Sequence, residues 1–105
     1  MVVKPYKEIK LAKNKYNRIF SKDVDSDELK WHKDLQNRII YTKDKTDWQF
    51  QFNNNPPIDI EPNKKISIPK NTYHRLIKGK KDLSLIVMIE NTISKDIKNL
   101  ILFLN

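Results

Sequence analysis

Short apolar runs alternate with clusters of turn-forming residues between residues 29 and 90, and this pattern constrains the fold more than any other feature. Seven runs have strand-like composition, at 29–33, 38–42, 47–52, 58–60, 65–68, 73–77 and 83–89. Short strands at nearly regular spacing are typical of an all-β sandwich or barrel. Because a single glycine serves all the turns, we expect Asn53, Asn63 and Asn71 to adopt the left-handed backbone conformation.

The two ends of the chain follow a different periodicity. Residues 5–20 place apolar side chains at three- and four-residue steps with lysines between them, which predicts an N-terminal amphipathic helix with Pro5 near its first turn. Residues 92–105 also follow helical spacing, but residues 100–104 would suit a strand as well. We expect this apolar end, helix or strand, to pack on the domain or on a second subunit.

Length and composition exclude several classes of protein. A chain of 105 residues forms one domain with one modest core, here spanning residues 1–105. Because there is no cysteine, disulfides, thiolate zinc sites and cysteine nucleophiles are excluded. No stretch approaches the roughly 18 apolar residues that span a bilayer, and residues 1–20 lack the apolar run of a signal peptide. We therefore expect a cytoplasmic protein without a membrane partner, in the host cytoplasm if the protein is viral.

The chain is strongly basic, with a net charge of +8 from 21 Lys and Arg against 13 Asp and Glu. A nucleic-acid-binding barrel would cluster this charge on one face, with aromatic residues interleaved. Only three arginines occur, whereas base-reading and bidentate phosphate sites favour arginine. We favour solvated surface lysines and keep nucleic acid as an alternative partner.

The two histidines lie in two segments that alternate like strands. His32 and Asp34 are two residues apart and share a strand face, and His74 lies in the second segment. Two histidines and one carboxylate are the minimum ligand set for iron(II), and manganese, nickel and zinc are further candidates. Arg38 could pair with Asp34 and weaken it as a ligand, or could bind an anion. A metal site, a metal-free pocket for a small polar or anionic ligand, and a purely structural cluster all remain open.

Aromatic and glutamine side chains alternate through residues 48–52. We expect the aromatic set, Trp48, Phe50 and Phe52, to face the core. In the alternative arrangement Gln49 and Gln51 would line a polar cavity as ligand-binding groups, together with Tyr41 and Tyr73.

Residues 63–74 resemble the second sequence motif of the cupins, which is a glycine, five residues, Pro-x-Gly, two residues and a histidine. The corresponding positions are Asn63, Pro69, Asn71 and His74, so asparagine twice replaces glycine. The substitution is mild because asparagine tolerates the left-handed conformation.

The first cupin motif, His-x-His followed by a glutamate, corresponds to His32 and Asp34, with Arg38 where the glutamate would stand. Residues 28–90 further resemble a group of small single-domain cupin-like proteins from bacteriophages and bacteria. The resemblance implies a jelly-roll barrel over residues 29–90, and it implies no particular reaction. If the protein is an enzyme, we expect metal-dependent oxygenation or isomerisation of the cupin type, with the ligand or metal site inside the barrel. The alternative is a non-catalytic accessory or interaction protein, viral or regulatory. Cupin-like barrels often pair, so a homodimer is a candidate assembly.

Overall fold

The computed structural model describes residues 6–25 and 27–90, so the predicted C-terminal helix or strand at 92–105 lies outside the described residues. One short 3₁₀ helix, Asp27–Leu29, is the helical element of this part of the chain. No described helix is long and apolar enough to cross a membrane. The remaining elements are β-strands: β1 (Tyr6–Ala12), β2 (Lys15–Phe20), β3 (Asn37–Tyr41), β4 (Gln49–Phe52), β5 (Ile58–Asp59), β6 (Ile66–Ile68), β7 (His74–Ile77) and β8 (Leu83–Glu90).

The predicted N-terminal helix at residues 5–20 is wrong, because this segment forms the hairpin β1–β2. The hairpin turns at Lys13 and Asn14, and Asn14 adopts a left-handed backbone with φ 59°. Antiparallel pairing of all six β2 residues with β8 supplies the hydrogen bonds that a helix would have made internally. The segment contains two tyrosines and two isoleucines, which favour strands, so tertiary pairing overrides an apolar spacing that suits both structures.

The strands form two antiparallel sheets, with the orders β1-β2-β8-β3-β6 and β5-β4-β7. The predicted all-β fold is therefore confirmed, but the predicted barrel is not closed. In the part of the chain that the structure describes, isolated bridges, such as that between Thr42 and Pro62, and single backbone hydrogen bonds link segments beyond the ladders. Pro57 immediately precedes β5 and Pro69 immediately follows β6. Because proline has no N–H to donate, these short strands cannot extend their ladders in those directions.

The core lies between the two sheets. Phe20, Leu83 and Leu85 contribute from the larger sheet, and Trp48 and Phe50 contribute from the smaller sheet and the segment that leads into it. Trp48 is completely buried and its Nε1 donates to the backbone carbonyl of Lys81. The aromatic set of residues 48–52 thus faces the core or its border, as the favoured interpretation predicted.

Asparagine supplies the left-handed turn residues, as expected from the scarcity of glycine. Asn63 and Asn71 have φ values of 62° and 61°, as predicted. In the cluster after β4 it is Asn54, with φ 62°, and not Asn53 that takes this conformation. The single glycine, Gly79, has no positive φ.

Candidate functional site

A backbone bridge sets His32 and His74 side by side. The segment after the 3₁₀ helix lies along β7, where His32 N donates to His74 O at 3.1 Å and His74 N donates to His32 O at 2.9 Å. Sequence analysis predicted a strand at 29–33, but only this single bridge forms. Two directly opposed residues present their side chains on the same face, and the imidazole centroids are 4.4 Å apart. The sequence prediction that both histidines reach one site is therefore matched by the fold.

Each imidazole is oriented by a backbone carbonyl at its Nδ1 atom. His32 Nδ1 lies 2.8 Å from Lys30 O, and His74 Nδ1 lies 2.7 Å from Thr72 O. Because a carbonyl can only accept, Nδ1 must carry the proton in both rings, and Nε2 is the nitrogen left for another partner. A hydrogen bond of this kind commonly fixes the tautomer of a metal-binding histidine.

Asp34 completes a group that could hold a metal ion. One ligand atom from each of His32, Asp34 and His74 lies within 4.8 Å of the others. Asp34 Oδ2 is 3.3 Å from His74 Nε2, and the backbone carbonyl of Asp34 accepts from the amide of Asn71 at 2.7 Å. The left-handed turn at Asn71 thus helps to hold the acidic residue against β7.

Charged residues surround this group. His32 Nε2 is 3.0 Å from Glu28 Oε2, and Glu28 Oε1 is 3.7 Å from Arg18 Nη1. Arg18 Nε also donates to Glu8 Oε1 at 2.8 Å. On the other side, Arg38 Nη2 is 3.5 Å from Asp34 Oδ1. These pairs join Arg18 to two glutamates and Arg38 to Asp34, so the histidines lie among charged groups of both signs.

The pKa shifts follow from these pairs. The hydrogen bond with Glu28 raises the pKa of His32 against the opposing effect of burial. Burial alone would raise the pKa of Glu28, but the hydrogen bond and charge of His32 outweigh it and lower the pKa. The pKa of Asp34 is likewise lowered, because His74 and Arg38 outweigh the effect of burial.

A small cavity adjoins the site. Polar and charged side chains line it on one side and the apolar core lines it on the other, and Phe50 stacks on the His74 ring with centroids 5.6 Å apart. Its volume is about 30 Å³, which suffices for a water molecule or an ion. A pocket for an organic ligand usually has roughly 300 Å³ or more. The lining residues with polar or charged groups are Arg18, Glu28, Asp34, Arg38 and His74.

The fold brings four of the predicted site residues together, namely His32, Asp34, Arg38 and His74, and places the other three elsewhere. Gln49 donates to Asp59, and Gln51 donates to the carbonyl of Asn55. Both glutamines alternate with inward-facing aromatics and therefore lie on the outer face of the small sheet. Tyr73 is 46% exposed and precedes the inward-facing His74, so it lies on the same outer face.

Sequence reasoning missed Arg18 and Glu28. Arg18 was placed on the predicted helix, where nothing linked it to the histidines. Glu28 stands four residues before His32, a spacing that predicts an ion pair only where the intervening turn is helical. The 3₁₀ helix at Asp27–Leu29 begins that turn, and a bend at Lys30 completes it.

Comparison with known proteins gives similarity in structure and none in sequence. No protein-family model matches the chain, and no curated protein matches it. Among solved structures, a chain from the DMSP lyases RdDddP and RnDddQII superposes with a TM-score of 0.61 and 17% identity, over 73% of this chain and 37% of that chain. Protein NMB1881 from Neisseria meningitidis superposes with a TM-score of 0.57 and 15% identity, over 82% of each chain. At these identities the likeness concerns the fold alone, which is an arrangement of antiparallel sheets consistent with the cupin-like fold that the sequence motifs predicted.

Proposed function

We propose that this protein binds a divalent transition-metal ion through His32 Nε2, His74 Nε2 and one oxygen of Asp34. The observation that carries the proposal is that one ligand atom from each of these three residues lies within 4.8 Å of the others, on two segments joined backbone to backbone. Metal–ligand bonds of about 2.1 Å separate donor atoms by roughly 3 to 4 Å, so small side-chain rotations bring the set to coordination distance. Imidazole and carboxylate donors suit iron(II), manganese, nickel or zinc.

Arg38 is compatible with this ion because it uses a different carboxylate oxygen. The guanidinium lies beside Oδ1 of Asp34, whereas Oδ2 is directed at His74. One oxygen can therefore pair with Arg38 while the other coordinates the ion. The remaining cost is repulsion between two nearby cations, which the carboxylate between them reduces. We expect the site to bind its metal less tightly than a site with a glutamate at this position.

Arg18 and Arg38 indicate which small molecules would bind beside such an ion. Both side chains line the small cavity beside the metal group, and an arginine there would hold a carboxylate or phosphate oxygen. We propose small anionic ligands that bind at the mouth of the cavity, because its volume of about 30 Å³ excludes a whole organic molecule. A bound ion would supply Lewis-acid or redox chemistry, as in an oxygenase or isomerase, and the arginines would orient the acidic substrate.

Metal titration of purified protein tests the proposal. Isothermal titration with zinc, manganese, nickel and anaerobic iron(II) should give one site per chain. Asp34→Asn and His74→Gln should weaken it at least about tenfold. Asp44→Asn, which changes an exposed carboxylate in the turn after β3, is the matched control and should leave the affinity unchanged.

A second readout separates coordination from a purely structural charge cluster. Because the chain holds two histidines, nitrogen-detected NMR spectra of their side chains are simple to assign. A diamagnetic metal such as zinc should shift Nε2 of both rings and leave Nδ1 bonded to its carbonyl. If no metal shifts these resonances, or if Asp44→Asn weakens binding as much as Asp34→Asn, the metal site does not exist.

A further inference from the structure

A second cluster, independent of the metal group, lies on the outer face of the three-stranded sheet. His32 and His74 point inward, so their chain neighbours point outward by strand alternation. The antiparallel bridge between the histidines places Trp31 opposite Arg75 and Lys33 opposite Tyr73. We call these four residues the Trp31–Tyr73 platform.

Both rings of the platform are open to solvent and both have a cation beside them. Trp31 is 42% exposed and Tyr73 is 46% exposed. The guanidinium carbon of Arg75 lies 4.6 Å from the Trp31 ring centroid, and Lys33 Nζ lies 5.3 Å from that of Tyr73. Arg75 is further held by its Nε, which donates to Gln51 Oε1 at 3.0 Å. The surface therefore presents two large rings, each paired with a positive charge.

We propose that the Trp31–Tyr73 platform binds single-stranded nucleic acid. The aromatic faces would stack on bases, and Lys33 and Arg75 would meet the adjoining phosphates. Residues that stand diagonally across two antiparallel strands are about 7 to 8 Å apart, which allows one base on each ring. The combination of exposed aromatic rings with cations on one face is what a single-strand-binding surface requires.

Charge and stacking together favour a single-stranded nucleic acid as the ligand of this face. Among the strand residues that alternation assigns to this face, Arg75 is basic and Asp59 is acidic, and Lys33 lies beside Tyr73. Asp59 lies beside Gln49, whose Nε2 donates to its carboxylate at 2.9 Å. The acidic group is thus engaged away from the rings, and the whole chain carries a net charge of +8. An acidic peptide would satisfy the cations but would offer no bases to stack on the exposed parts of the two rings.

The glutamines of this face indicate weak sequence preference. Gln51 donates to the Asn55 carbonyl and accepts from Arg75, and Gln49 is occupied by Asp59. Amides that are already bonded do not read base edges well, whereas every base has a face that can stack. Binding should therefore depend on stacking and charge more than on sequence.

Fluorescence and anisotropy titrations with short oligo(dT) and oligo(rU) test the proposal. Trp48 is completely buried, so quenching of tryptophan emission by an oligonucleotide would report on Trp31. Trp31→Ala and Tyr73→Ala should each weaken binding about 5- to 100-fold. Lys33→Ala should lower the slope of log affinity against log salt by about 0.7, and as an exposed lysine it leaves the fold intact.

The matched control is a lysine–tyrosine pair on the other sheet, where Lys65 Nζ lies 5.8 Å from the Tyr41 ring centroid. Tyr41→Ala and Lys65→Ala should leave oligonucleotide binding unchanged. The proposal is overturned if no oligonucleotide binds at low salt, if inorganic polyphosphate or an acidic peptide binds as tightly as an oligonucleotide, or if the Tyr41 and Tyr73 variants lose affinity equally. Metal binding in the same variants should be unaltered, so this test and that of the metal site fail separately.

Discussion

The single glycine of the chain, Gly79, is required because its position has no room for a Cβ atom, and Gly79→Ala tests this directly. Its backbone has no positive φ, so alanine could adopt the conformation. A Cβ atom, however, would lie 2.8 Å from Trp48 Cδ1 and 2.6 Å from Asp47 Cγ. The exposed Asp47 can swing aside at the loss of its bond to the amide of Lys80. Trp48 cannot move, because it is fully buried and donates to the Lys81 carbonyl.

The expected loss of stability follows from the contact with Trp48. Overpacking of a core costs about 1 to 3 kcal/mol, and removing a glycine from the unfolded chain returns about 0.4 to 1 kcal/mol. The middle values of these ranges leave a net loss of about 1 kcal/mol, which lowers the Tm by roughly 4 to 8 °C in a domain of this size.

Urea and thermal unfolding, followed by circular dichroism and by tryptophan emission, measure the effect. Lys80→Ala changes an exposed neighbour and is the control, with a Tm close to that of the original protein. The double variant Asp47→Ala with Gly79→Ala locates the obstacle. If the loss disappears in that background, the clash with Asp47 and not with Trp48 is limiting. If Gly79→Ala is as stable as the original chain, the steric argument is refuted.

Two further predictions concern the site and its supporting turn. Because the pKa of His32 is raised and those of Glu28 and Asp34 are lowered, the metal-free protein should be most stable between about pH 4 and 6.5, the ordinary pKa values of these groups. Stability should fall below this window as the carboxylates protonate and above it as His32 loses its proton; unfolding curves that lack the alkaline decline would contradict the His32–Glu28 pair. Asn71→Ala should destabilise the chain by about 1 kcal/mol and Asn71→Gly should not, because the left-handed conformation penalises a Cβ atom. Equal stability of the two variants in urea would show that the turn does not require that conformation.

Most of the strand pattern could be predicted from the sequence. Alternation and turn residues located the six strands from β3 to β8, and the spacing of Asn63, Asn71 and His74 matched the motif of a cupin-like fold. These features depend on local sequence: an asparagine in a polar cluster favours a turn, and an alternating run favours a strand, in most structural surroundings.

The errors arose where long-range pairing decides the structure. The apolar residues of 5–20 suit a helix by their spacing. One edge of β8, however, has backbone groups that pair with β2, and the segment forms a hairpin there. Arg18 reaches Glu28 only through that hairpin, so no local pattern could reveal its place beside the site. Closure of the barrel likewise depends on whether the short strands β5 and β6 can be extended, which neither the count nor the spacing of strands discloses.

The reciprocal backbone bonds of His32 and His74 have a consequence for motion. Each amide proton is covered by the other residue's carbonyl, so neither can exchange with solvent until the segment that carries His32 separates from β7. The two protons should therefore report one common free energy of opening, that of a single event and not the fraying of either strand end. An ion shared by both rings would raise that free energy, so slower exchange of these two protons on addition of metal would report binding at the backbone between them.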